Sequence, residues 1–134
     1  MREALTIGEA SRRTGIKVPT IRYYEQIGLL PPPRRSAGNR RWYREDEIRR
    51  LAFIRHARDL GFEIGDIRTL LALQDQPERS CDDIDTLARD HLASIQDKIS
   101  RLTALRREMK RILKSCRGGR VAECRVIESI GRAV

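Results

Sequence analysis

The sequence predicts a mainly α protein: a winged helix-turn-helix domain, then one long helix that pairs antiparallel with a second copy, then a cysteine-bearing loop. Three observations carry this expectation. Two short helices are punctuated by a glycine turn between Thr6 and Gly28. An apolar stripe at alternating steps of three and four runs from Cys81 to Cys116, with no Gly or Pro between Pro77 and Gly118. Finally, the thiols are spaced so that only head-to-tail pairing brings them together.

The elements follow in order. Thr6 is placed as the N-cap of a first helix, Ile7 to Thr14, and Glu9 three residues on completes a capping box. Ile7 and Ala10 face inward, and Gly15 stops the helix with a left-handed cap. Pro19 opens a second helix running to about Ile27, because proline fits a first helical turn, and Gly28 ends it. Two such helices form a helix-turn-helix pattern. Pro31-Pro32-Pro33 forbids helix and drives an extended excursion. Ser36-Ala37-Gly38-Asn39 is a tight-turn signal between Arg34-Arg35 and Arg40-Arg41-Trp42-Tyr43. The result is a small hairpin with arginines on both arms, with Trp42 packing beneath it. The acids Glu45, Asp46 and Glu47 suit the N-terminus of a third helix, which Ile48, Leu51 and Ile54 carry to Leu60 before Gly61. Ile64, Ile67, Leu70 and Leu71 mark a fourth helix ending before Pro77.

From Cys81 the stripe is Ile84, Ala88, His91, Ile95, Lys98, Leu102, Leu105, Met109, Ile112 and Cys116, with Leu92, Ile99 and Leu113 beside it. Such a heptad pattern is a coiled coil, and a solitary helix cannot bury its own stripe. Cys81 and Cys116 lie 35 positions apart in the sequence, five whole heptads, which is roughly 50 Å of helix. They cannot hold one ion within a chain. In an antiparallel pair the start of one helix meets the end of the other, so Cys81 of one copy approaches Cys116 of its mate, twice per dimer. Gly118-Gly119 lets the backbone fold back so that Cys124 joins Cys116, and Val126, Ile127 and Ile130 suggest a short covering helix. Three thiolates select soft ions, namely mercury, lead, cadmium, zinc or monovalent copper.

Composition narrows the function. The chain has 134 residues with a net charge of +9, 35% charged and only 4% aromatic side chains. Residues 1–60 hold 14 basic and 7 acidic groups, whereas residues 61–115 hold 10 of each. A basic half interleaved with Tyr23, Tyr24, Trp42 and Tyr43 points to nucleic acid as partner, and a neutral middle points to protein. The charge-free stretch Ile27–Pro33 is far too short for a membrane span, and Met1 to Arg13 has no apolar signal core. A cytoplasmic protein is expected. An odd number of cysteines, three, argues against a disulfide framework. A thiol enzyme is excluded by the lack of Cys-x-x-Cys, of a cysteine near a histidine, and of a glycine-rich phosphate loop.

Thr20-Ile21-Arg22-Tyr23-Tyr24-Glu25, Gly28-Leu29-Leu30, Arg35-Ser36, Gly38-Asn39 and Arg41-Trp42-Tyr43 resemble the N-terminal signature of the MerR family. Phe53-Ile54-Arg55, Leu60-Gly61-Phe62 and Asp66-Ile67-Arg68 extend the likeness, and the terminal cysteine loop is similar to the metal-sensing branch. The resemblance implies a homodimer that binds double-stranded promoter DNA beside RNA polymerase. Its promoter elements would be spaced too widely, and the regulator would distort the DNA on binding metal. It implies residues 1–75 as a winged-helix DNA-binding domain with connecting helices, 76–115 as the dimerisation helix, and 116–134 as the metal-binding loop and terminal helix. It further implies Arg22 and Tyr24 at the DNA, with Lys17, Thr20 and Tyr23 nearby. Arg35, Arg41 and Tyr43 would grip the backbone from the wing, and Arg58 a phosphate.

Cys81, Cys116 and Cys124 would hold one soft metal ion per site, two sites per dimer. Copper-type members generally have serine at the position of Cys81, so cysteine there favours divalent mercury, lead, cadmium or zinc over copper(I). The seven-residue interval between Cys116 and Cys124 is similar to the copper type. Two alternatives therefore stand: a copper(I) sensor using Cys116 and Cys124, and a thiol-based redox or electrophile sensor of the same fold.

Overall fold

A computed structural model describes residues 4–32, 34–35, 41–115 and 118–132 of the chain. The order of elements is β1 (Leu5–Thr6), α1 (Ile7–Thr14), α2 (Val18–Gln26), β2 (Arg34–Arg35), β3 (Arg41–Tyr43), α3 (Glu45–Asp59), α4 (Ile64–Gln74), α5 (Asp82–Ser115), a 3-10 turn (Val121–Glu123) and α6 (Arg125–Gly131). The mainly helical architecture expected from the sequence is present, including the long helix. The turn Ser36–Asn39 and Cys116 lie outside the described residues. The chain divides into two compact units, residues 1–84 and 85–134.

In the first unit, the Thr6 hydroxyl accepts from the Glu9 amide at 3.2 Å while the Glu9 carboxylate accepts from the Thr6 amide at 3.3 Å. This satisfies two orphan donors of α1. The Thr6 hydroxyl also donates to the Glu9 carboxylate at 2.9 Å, and this bond, with that from the Thr6 amide, holds the Glu9 carboxyl below its ordinary range. Gly15 closes α1 at φ 73°, a conformation a Cβ disfavours. Pro19 sits in the first turn of α2, where its missing N–H costs nothing. That helix begins and ends one residue earlier than the sequence suggests.

Strands β1 and β2 both pair antiparallel with β3, in the order β1-β3-β2. The register sets Leu5 opposite Tyr43 and Arg34 opposite Trp42. Strand β1 is an addition to the two-armed hairpin read from sequence; it anchors the wing to the residues just ahead of α1.

Ile48, Leu51, Ile54 and Ala57, three residues apart along α3, are all buried. They meet Ala10 of α1, Ile21 and Tyr24 of α2, Leu29 and Leu30 of the following turn, and Ile67 and Leu71 of α4 in one apolar core. Each fully buried Leu or Ile contributes about 1.5–3 kcal/mol, so α3 is the post on which the helix-turn-helix is mounted.

In α5 the case differs. It is 34 residues long and none of them is buried. Leu92, Ile99, Leu102, Leu105, Met109 and Leu113 are all exposed. Ion pairs such as Arg89–Asp85 at 2.7 Å decorate the helix, but exposed pairs of this kind add little. No helix among the described residues is long and apolar enough to cross a membrane.

Candidate nucleic-acid interface and metal centre

Helix α2 buries Ile21 and Tyr24, and this choice of inner face decides what is left outside. Lys17, Arg22 and Tyr23 are exposed and Thr20 is half-buried. Lys17, Thr20 and Tyr23 are spaced by three, so they line one ridge of the helix. Arg22 stands beside them. Tyr23 is 49% exposed, a large aromatic surface with no burial reason to be there. A short helix presenting a lysine, an arginine, a hydroxyl and an aromatic ring offers phosphate and base-edge contacts together.

The two other tyrosines expected at DNA are core residues. Tyr24 is 7% exposed and Tyr43 only 1%. The Tyr43 hydroxyl donates to the Glu25 carboxylate at 2.7 Å, linking β3 to α2. Their rings support the interface from beneath, since a phenol can be apolar in body and polar at its tip. Trp42 is half-buried, and as the neighbour of Tyr43 in β3 it stands on the other face of that strand. The backbones of Arg35 and Arg41 pair with each other across β2 and β3. Arg58 is exposed on α3, and its guanidinium donates to the Phe62 carbonyl at 3.0 Å.

Several arginines, Arg13, Arg50 and Arg55 in the basic half and Arg68 beyond it, bond to other parts of the fold, which sequence reasoning missed. Arg13 makes a bidentate pair with Glu45, and the Glu45 hydrogen bond and charge raise its pKa above the ordinary value. The Arg50 Nε donates to the Leu29 carbonyl at 2.9 Å, the Arg55 guanidinium to the Thr14 carbonyl at 3.1 Å, and the Arg68 guanidinium to the Ile27 carbonyl at 2.7 Å. Partners 21 and 41 residues away leave no local pattern, so charge counting places Arg13, Arg50 and Arg55 with the groups that face the polyanion. The Leu29-Leu30 pair, buried directly after Gly28, was the available hint that this turn is held from within.

Of the thiols, Cys81 is exposed and sits in the turn one residue ahead of α5. Cys124 is half-buried and forms the N-cap of α6. Among the described residues, no three His, Cys, Asp or Glu side chains gather as a metal site within the chain. His91 is half-buried on α5.

The MerR HTH family regulatory protein pattern matches residues 5–74, and the MerR DNA-binding pattern matches residues 48–112. The chain belongs to the MerR family. It is a DNA-binding transcriptional regulator and not an enzyme. Among its MerR relatives, the HTH-type transcriptional regulator HmrR of Sinorhizobium medicae is 38% identical over 128 residues, spanning 96% of this chain and 87% of the relative. The lead(II) complex of the transcription regulator PbrR691 from Ralstonia metallidurans superposes with a TM-score of 0.79 at 39% identity, covering 94% of this chain and 98% of that one. The mercury(II) complex of the dual-function MerR regulator from Bacillus megaterium gives 0.64 at 30% identity, covering 92% and 95%.

Proposed function

We propose that this MerR-family chain is a metal-responsive regulator that acts as an antiparallel homodimer in the cytoplasm. It senses a soft divalent ion through Cys81 of one copy and Cys116 and Cys124 of the other. The observation that carries the reading is the disposition of thiols about α5. One cysteine precedes the helix, the next follows its last residue Ser115, and no residue of the apolar row between them is buried. Covering that row with a second, reversed helix brings the two ends together, which a parallel pair does not do.

The donor chemistry fits such an ion. Three thiols deprotonate on ligation to soft thiolates, and relatives crystallised with lead(II) and mercury(II) share most of the chain's length. A bound ion would supply a bond between subunits that neither copy can make alone. Residues 116–134 form the loop and short helix that present Cys116 and Cys124, while residues 76–115 pair the copies. Residues 1–75 place Lys17, Thr20, Arg22 and Tyr23 on DNA, with Arg35 and Arg41 on the wing and Arg58 at a phosphate. Tyr24 and Tyr43 hold that surface from the core side. Distorting promoter DNA costs on the order of 1–6 kcal/mol, a load that a shared site can bias by favouring one dimer shape. The regulated step is then open to RNA polymerase on the same promoter.

A second reading, copper(I) held by Cys116 and Cys124, is favoured by the seven-residue interval between them; a redox sensor would use the same thiols. One experiment separates all three. The reduced full chain is titrated with mercury, lead, cadmium, zinc and copper(I), reading metal–thiolate absorbance alongside transcription from its promoter. Saturation by a divalent ion at two per dimer, with induction, is expected. Copper(I) alone saturating the protein supports the second reading, and induction by mild oxidant without metal supports the third.

A further inference from the structure

Helix α3 holds the backbone on both sides of α2, at the last residue of α1 and in the turn that follows α2. The Arg55 guanidinium donates to the Thr14 carbonyl at 3.1 Å, three residues before the N-cap Lys17 of α2. The Arg50 Nε donates to the Leu29 carbonyl at 2.9 Å, three residues beyond the last helical residue Gln26. Arg68 of α4 adds a bond to the Ile27 carbonyl at 2.7 Å. Each α3 arginine is itself steered by an acid: Arg50 lies 3.6 Å from Asp75 and Arg55 lies 3.6 Å from Asp59. Arg55 packs so closely that a Cβ on Gly15 would fall 2.3 Å from its guanidinium. Both arginines are half-buried.

From this geometry we infer that Arg50 and Arg55 are positioning residues for DNA recognition, acting on α2 and not on DNA. The carbonyls they hold have no partner in a helix ladder at those points, and a guanidinium fork fixes direction as well as distance. Losing either clamp frees one end of α2 to tilt. The side chains at Lys17, Thr20, Arg22 and Tyr23 then meet base edges in varied registers, while phosphate attraction persists. This inference rests on α2 as the DNA-reading helix.

The test uses the full chain with two probes: a duplex selected by the wild-type protein from a random-sequence pool, and alternating poly(dI-dC). Arg50→Met and Arg55→Met should each weaken the selected duplex by at least about fivefold, leave the alternating polymer within about twofold, and keep the salt slope. A phosphate-binding arginine would lower that slope by about one and weaken both DNAs together, and that outcome overturns the inference, as does unchanged affinity for both. If a Met variant melts below the assay temperature, Arg50→Lys and Arg55→Lys are compared instead. Lysine keeps the charge but not the fork, so a fall in the selected-to-alternating ratio is again expected, and an undiminished ratio overturns the proposal. Arg22→Ala is the control for the underlying reading. Loss there without loss at Arg50 and Arg55 refutes only the clamps, whereas no loss at Arg22 refutes the DNA-reading role of α2.

Discussion

The hydroxyl of Tyr43 in the wing donates a 2.7 Å hydrogen bond to the carboxylate of Glu25 on α2. In the proposed reading wing and helix meet the same DNA, and this part-buried bond fixes their spacing. Tyr43→Phe keeps the ring and removes the bond. Stability should drop by about 1–2 kcal/mol, seen as a lower urea midpoint with an unchanged slope.

Gly15 and Gly65 should respond in opposite directions to alanine. Gly15 has φ 73° and the Arg55 guanidinium stands where a Cβ would go, whereas nothing lies within 4 Å of the Cβ position on Gly65 within α4. Gly15→Ala is expected to cost more than about 1 kcal/mol, and Gly65→Ala to stabilise by up to about 1 kcal/mol. Thermal melts of the two variants decide it.

The capping box predicts a pH effect. Thr6 holds the Glu9 carboxyl below its ordinary value of 4.5. A depressed folded pKa gives stability that is present above the unfolded pKa and lost as pH falls through the folded one. The loss therefore begins near pH 4.5 and grows below it. Thr6→Ala should shrink this acid-dependent part, besides removing about 1 kcal/mol of capping at neutral pH; chemical melts from pH 7 to 3 test both.

Cys81→Ser should weaken divalent binding strongly and leave copper(I) binding in place. Competition titrations against a chelator give the two affinities. Equal loss for both ions would remove the discriminating role proposed for Cys81.

DNA affinity should fall steeply with salt through counterion release. Arg22→Ala should abolish binding to promoter duplex while sedimentation of the protein is unaltered. A flat salt response would count against phosphate contacts altogether.

The local punctuation of this chain was legible because each signal acts on its own neighbours. Thr6 with Glu9, Gly15 and Pro19 sit where their short-range chemistry put them, and α5 follows from an uninterrupted heptad stripe. What was not legible depends on contacts made across the sequence. Strand β1 is two residues long and exists only because β3 offers an edge. Tyr24 and Tyr43 carry the same composition signal as Tyr23, and only packing separates the two buried rings from the exposed one. The arginines at 13, 50 and 55 read as cationic charge in the basic half, because partners so distant in the chain leave no local signal. For the thiols, the heptad reading starts the stripe at Cys81, whereas Cys81 sits in the turn just ahead of α5 and Cys124 caps α6.

The bare apolar row on α5 has a thermodynamic consequence. A helix that buries none of its own side chains draws its order from encounter with another molecule, so its free energy of folding obeys mass action. The N-terminal unit, closed around Leu51, Ile54 and Ile67, owes nothing to encounter. Dilution should therefore loosen one half of this molecule and leave the other indifferent, which makes the protein's own concentration a variable in its stability.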